Sequence, residues 1–131
     1  MKKLIGLSIL VAEDEAELRD VIVDQLLYNG ATVEGVSNGA EAWDSIQNKK
    51  FDIVLSDSRM PGVNGIELIK KIHQMNSTKP IVFLCTGFSD LTLSEVKKIG
   101  VAEVFSKPFD LNKMVNQILI SINELQSKKA G

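Results

Sequence analysis

Asp57 stands just past an apolar run, Phe51 to Leu55, and Pro61, Gly62 and Gly65 follow within a few residues. A carboxylate at the mouth of a hydrophobic strand is either a turn former or a reactive group. Four further side chains bear on the choice. Glu13 and Asp14 follow the run Leu7 to Val11, Thr86 follows Ile81 to Cys85, and Lys107 follows Ala102 to Phe105. Three carboxylates brought together repel unless a cation neutralises them or protons are taken up. All-oxygen donors suit a hard ion, and Mg2+ uses one or two carboxylates while keeping several waters. With Mg2+ and Lys107 balancing the charge, such a rim can accept a phosphoryl group. A carboxylate can act as the covalent nucleophile, giving an aspartyl phosphate. In that chemistry Asp57 is the acceptor, the Thr86 hydroxyl donates to one phosphoryl oxygen, and Lys107 pairs with another.

These residues meet only if the ends of several apolar runs share one edge, and the pattern along the chain provides for it. The run Leu7 to Val11 reads as a strand, followed by a helix carrying Leu18, Val21, Ile22 and Leu26 and closed by Gly30. Thr32 to Val36 is a second strand, and Asn38 caps a helix that buries Ala42, Trp43 and Ile46. Phe51 to Leu55 precedes a helix marked by Ile66, Leu68, Ile69 and Ile72. Pro80 opens the strand Ile81 to Cys85, where its missing N–H is tolerated. Ser89 or Asp90 caps a fourth helix with Val96 and Ile99, closed by Gly100. After the strand Ala102 to Phe105, Asp110 caps the last helix, which carries Leu111, Met114, Val115, Ile118, Ile122 and Leu125. Five strand–helix pairs in strict alternation imply an α/β fold, a parallel sheet between two helical layers. Near-continuous apolar strands are what burial on both faces requires. Ligands of such sheets sit beyond the carboxyl ends of the strands, which is where the three acids, Thr86 and Lys107 fall.

The chain has 131 residues, 44% hydrophobic and 24% charged, with net charge −2. That is enough for one core, and the expectation is a single domain over residues 1–131, its core at about 6–125 and 126–131 a short tail. The charge provides no basic footprint for nucleic acid. No apolar run approaches the roughly 20 residues of a membrane span. The opening MKKLIGLSILVAEDE ends in acids without a small-residue cleavage site, so it reads as a strand and not as an export signal. One cysteine, Cys85, forms no internal disulfide, in keeping with a cytoplasmic location. Cys85 reads as a small buried hydrophobe, His73 as a surface residue, and Lys70-Lys71 and Lys97-Lys98 as solvated helix faces. Leu91, Leu93 and Ile120 exceed what the inner helix faces need, which marks a possible interaction surface.

VAEDE, DSRMPGVNG, CTGF and SKPF, in this order and at these strand ends, closely resemble the response regulator (CheY-like) receiver domains of two-component signalling, over residues 6–125. The resemblance implies a doubly wound, flavodoxin-like (βα)5 sandwich with strand order 2-1-3-4-5. It implies Mg2+ held by Asp14 directly, by Glu13 through a water, by Asp57 and by the main-chain carbonyl of Arg59. Asp57 becomes the phosphoacceptor, Thr86 and Lys107 the pair that senses the phosphoryl group, and Lys107-Pro108 a cis peptide bond. The expected partners are a histidine kinase or histidine phosphotransfer protein. With no output module after Leu125, a separate downstream output protein is expected, and dimerisation would use the face of the fourth and fifth helices. The implied role is a signalling switch that catalyses only its own phosphorylation and dephosphorylation.

Two residues depart from the family pattern. Glu13 replaces the commoner Asp, and Val104 occupies the position, three before the lysine, where receivers often carry Tyr or Phe. Phe105, one residue on, points to the other face of its strand. The alternative function is a degenerate receiver that binds partners without phosphorylation. A flavin or nucleotide module would want a phosphate-cradling loop where AEDEAE stands. A phosphatase acting on external substrates would need a second acid and a cap that these short loops do not accommodate.

Overall fold

The computed structural model describes residues 2–60, 62–75, 80–86, 98, 100–107 and 110–130, with side chains as far as residue 124. In chain order it runs β1 (Ser8–Ala12), α1 (Ala16–Tyr28), β2 (Thr32–Val36), α2 (Gly39–Asn48) and β3 (Ile53–Asp57). There follow α3 (Gly65–Gln74), β4 (Ile81–Thr86), β5 (Glu103–Ser106) and α4 (Leu111–Ala130), the C-terminal helix. The five strands form one parallel sheet in the order β2-β1-β3-β4-β5.

Side chains alternate across a strand, so each strand divides its residues between two cores. Ile9, Val11, Ile53, Leu55, Phe83 and Cys85 face Ile22 and Leu26 of α1 and Met114, Val115 and Ile118 of α4. Leu10, Ala12, Val54, Val82 and Leu84 face Ala42 and Ile46 of α2 and Leu68, Ile69 and Ile72 of α3. This two-sided burial explains why the strands read as unbroken apolar runs.

The helix starts follow local chemistry. Asn38 and Asn64 accept from the amides of Glu41 and Glu67 at 2.8 and 2.9 Å, and Asp110 accepts from Asn112 and Lys113 at 2.9 and 3.1 Å. Each satisfies amides that the first helical turn leaves without partners. α1 ends at Gly30 (φ +95), with Gly30 N–H bonded to Leu27 O and Ala31 N–H to Leu26 O.

The structure shifts some expectations. β3 starts at Ile53 and runs through Asp57, because the parallel ladder continues to the Asp57–Cys85 pair. Val21 is 49% exposed, since Leu18, Ile22 and Leu26, spaced by four, already form the inward stripe of α1. Trp43 is half-buried at the edge of its core, and Lys71 lies over its ring at 5.4 Å rather than pointing freely into water. Ile120 is exposed, as its place off the stripe requires. The predicted fourth helix with Leu91 and Leu93, together with Pro61, Gly87, Phe88 and the Lys107-Pro108 bond, lies outside the described residues. No helix among the described residues is long and apolar enough to cross a membrane.

Candidate functional site

The carboxyl ends of β1, β3, β4 and β5 converge. β1 delivers Glu13, whose N–H donates to Val36 O at 3.1 Å and so extends the ladder one step beyond the strand. β3 ends on Asp57, which is buried, and β4 ends on Thr86. The Thr86 carbonyl accepts from Lys107 N–H at 2.8 Å, which brings the lysine in from β5. Gly65 lets the start of α3 press against this edge: a Cβ there would lie 2.1 Å from the Asp57 carbonyl oxygen.

Lys107 Nζ sits between two acids, 2.9 Å from Glu13 Oε1 and 3.2 Å from Asp57 Oδ2. The other Glu13 oxygen accepts from the Glu15 amide at 3.1 Å, and Asp57 Oδ1 lies 3.5 Å from the Arg59 amide. Carboxylate oxygens of Glu13, Asp14 and Asp57 come within 4.8 Å of one another, Asp14 on the solvent side. One ammonium does not balance three acids. Burial pushes the Glu13 carboxyl up to about 7, against the pull of Lys107 and the Glu15 amide, while Asp57 and Asp14 add to the rise. Burial alone would lower Lys107, but Glu13 and Asp57 together outweigh it and hold the ammonium above the usual lysine range. Glu13, Asp14, Asp57 and Lys107 therefore form one cluster, with Thr86 and Arg59 at its edge.

Cys85, beside Asp57 in the sheet, is no nucleophile: burial pushes its thiol up to about 12. Val104 packs on the α2–α3 side, while Phe105 stacks on Phe83 on the opposite face with ring centroids 5.7 Å apart. Sequence reasoning missed Arg19, whose Nη1 donates to the Glu13 carbonyl at 2.8 Å. Its only signal is a base near the start of a helix, where acids are favoured.

A family model described as the response regulator receiver domain matches residues 9–119. The chain belongs to that family. The receiver is 36% identical over 111 residues to the response regulator receiver protein CpdR of Brucella abortus, covering 84% of this chain and 92% of that one. It is 32% identical over 120 residues to the DNA-binding transcriptional regulator NtrC of Escherichia coli K12, covering 91% of this chain. It spans 25% of the length of NtrC. A receiver domain protein from Clostridium thermocellum superposes with a TM-score of 0.83 at 25% identity, covering 92% of this chain and 97% of that one. The chemotaxis response regulator CheY4 of Vibrio cholerae shares the fold, with a TM-score of 0.80 at 24% identity over 88% of this chain and 98% of that one. Receivers of the two-component type are in general phosphorylation-accepting signalling switches and not typical enzymes. Receivers bind Mg2+ in an acidic pocket, and Glu13, Asp14 and Asp57 form a cluster that could hold it.

Proposed function

We propose that Asp57 accepts a phosphoryl group from the phosphohistidine of a histidine kinase or phosphotransfer protein. An Asp57 oxygen forms the new O–P bond as the N–P bond breaks, and the imidazole nitrogen keeps the electron pair. The observation that carries this reading is Lys107 Nζ held against Asp57 at 3.2 Å beside two further carboxylates. In this reading Lys107 pairs with a phosphoryl oxygen, and Thr86, at the end of the neighbouring strand, donates its hydroxyl to another.

The donor set is hard and all-oxygen, which fits Mg2+. Asp14 and Asp57 would bind it directly, Glu13 through a water, and the Arg59 carbonyl would complete the protein's share. Bound there, Mg2+ supplies positive charge to the phosphoryl oxygens. Phosphorylation then biases an existing two-state equilibrium of the surrounding loops, and a downstream output protein reads the change. We read residues 1–131 as one receiver domain acting in the cytoplasm, with dimerisation through the predicted fourth helix and α4 as a further property of the switch.

Val104 favours a second reading, a receiver that binds partners without phosphorylation, because the usual aromatic is missing from that position. One experiment separates the two: intact-protein mass after incubation with acetyl phosphate, with and without Mg2+, for the native protein and Asp57→Asn. A single Mg2+-dependent phosphoryl adduct, lost in Asp57→Asn, is the expected result. No adduct from the small donor or from a phosphorylated histidine donor would favour the second reading, and an adduct retained by Asp57→Asn would move the acceptor elsewhere.

A further inference from the structure

Arg19 lies in α1, outside the acidic cluster, yet its half-buried side chain reaches back to the Glu13 carbonyl at 2.8 Å. To do so its stem crosses β2 at Gly35. A Cβ on Gly35 would lie 3.4 and 3.5 Å from Arg19 Cδ and Cγ, and 3.3 Å from Val23 Cγ2. Gly35 is paired with Val11 inside the strand, where glycine weakens a ladder and offers nothing to pack. It is not among the glycines with positive φ, so its backbone does not demand glycine. A bare Cβ would meet the arginine stem at ordinary van der Waals distance and Val23 slightly closer, so it is a larger, branched side chain here that would crowd the stem.

The Arg19 contact completes the fastening of one residue. Glu13 N–H donates to Val36 O at 3.1 Å, Glu13 Oε2 accepts from the Glu15 amide at 3.1 Å, and Arg19 takes the carbonyl. That carbonyl belongs to the peptide unit leading into Asp14. We infer that Arg19 is a positioning residue: through the Glu13 carbonyl it fixes the Glu13–Asp14 peptide, and so the direction in which Asp14 presents its carboxylate toward Asp57. Gly35 on the edge strand leaves the stem free of the larger side chains that would crowd it. The consequence for Mg2+ rests on the metal reading above; the tether itself does not.

The guanidinium also carries charge. Its repulsion of a cation means that losing the charge alone would tighten Mg2+ binding, whereas losing the tether would loosen it. Arg19→Lys keeps both the charge and a donor on a stem of similar reach, so it is the conservative variant expected to rescue the tether.

The test is backbone hydrogen exchange of the metal-free protein, paired with Mg2+ calorimetry. Arg19→Ala is expected to speed exchange at the Glu13 and Glu15 amides by about tenfold or more, with Val54 and Leu55 of β3 unchanged. It should weaken Mg2+ binding about threefold or more despite the lost repulsion, since groups that orient ligands carry effects of this size or greater. Arg19→Lys should restore both. Gly35→Val suits a strand better than glycine but displaces the stem, so it should act in the same direction and add nothing in the Arg19→Ala background. Exchange that rises equally in β3, or stays unchanged at residues 13 to 15, would overturn the inference, as would multiplying effects of the two substitutions. If the native protein bound no Mg2+, the metal reading would fail while the exchange pattern still decided the tether.

Discussion

Glu13→Gln should make the metal-free domain more stable at pH 8, although it removes an ion pair with Lys107 at 2.9 Å. The carboxyl is buried, and its proton is held up to about 7 against an ordinary value of 4.5. Between those values the folded state binds more protons than the unfolded chain. Stability from this group is therefore fully present below about pH 4.5 and is lost as pH rises through about 7. The gap of about 2.5, at about 1.4 kcal/mol for each pH unit, comes to about 3 kcal/mol. Glutamine mimics the protonated acid, so its advantage should be under about 1 kcal/mol at pH 5 and approach that figure at pH 8. Urea unfolding from pH 5 to 8.5 in a chelator, followed by the single Trp43, measures this directly. A native protein whose stability stays level relative to Glu13→Gln over that range, or a variant less stable at pH 8, would refute the reasoning. Either outcome would mean that the Lys107 pair outweighs the burial of Glu13.

The same proton should compete with the cation, so Mg2+ affinity, followed by calorimetry, should weaken by up to about tenfold between pH 8 and pH 6. Lys107→Ala should slow phosphoryl uptake from acetyl phosphate about a hundredfold, as loss of a group stabilising developing charge does, without weakening Mg2+ binding. Uptake at the native rate would remove Lys107 from the chemistry. Gly65→Ala would place its Cβ 2.1 Å from a backbone oxygen that cannot swing aside, and chemical denaturation should show a loss of more than about 2 kcal/mol. Asn64→Ala removes the cap of α3 and should cost about 1 kcal/mol in the same assay.

The alternation of apolar runs, the caps at Asn38 and Asp110 and the acids at strand ends were legible in the chain because each depends on neighbours a few residues away. Strand and helix periods, capping and turn chemistry are local, and burial on both sheet faces leaves its own signature in unbroken apolar strands. The motifs at four strand ends likewise marked Glu13, Asp14, Asp57, Thr86 and Lys107 as members of one site. Tertiary structure decided how those groups share their charge. Nothing in the sequence says that Lys107 lies between Glu13 and Asp57, 94 and 50 positions away, or that burial raises the Glu13 carboxyl. Val21 turned outward because Leu18, Ile22 and Leu26 had already filled the inner face, a choice that only packing makes. Gly35 read as one small residue in a strand until the fold laid the Arg19 stem across it. Contacts between distant segments set distances and dielectric, and those quantities have no local pattern from which to be read.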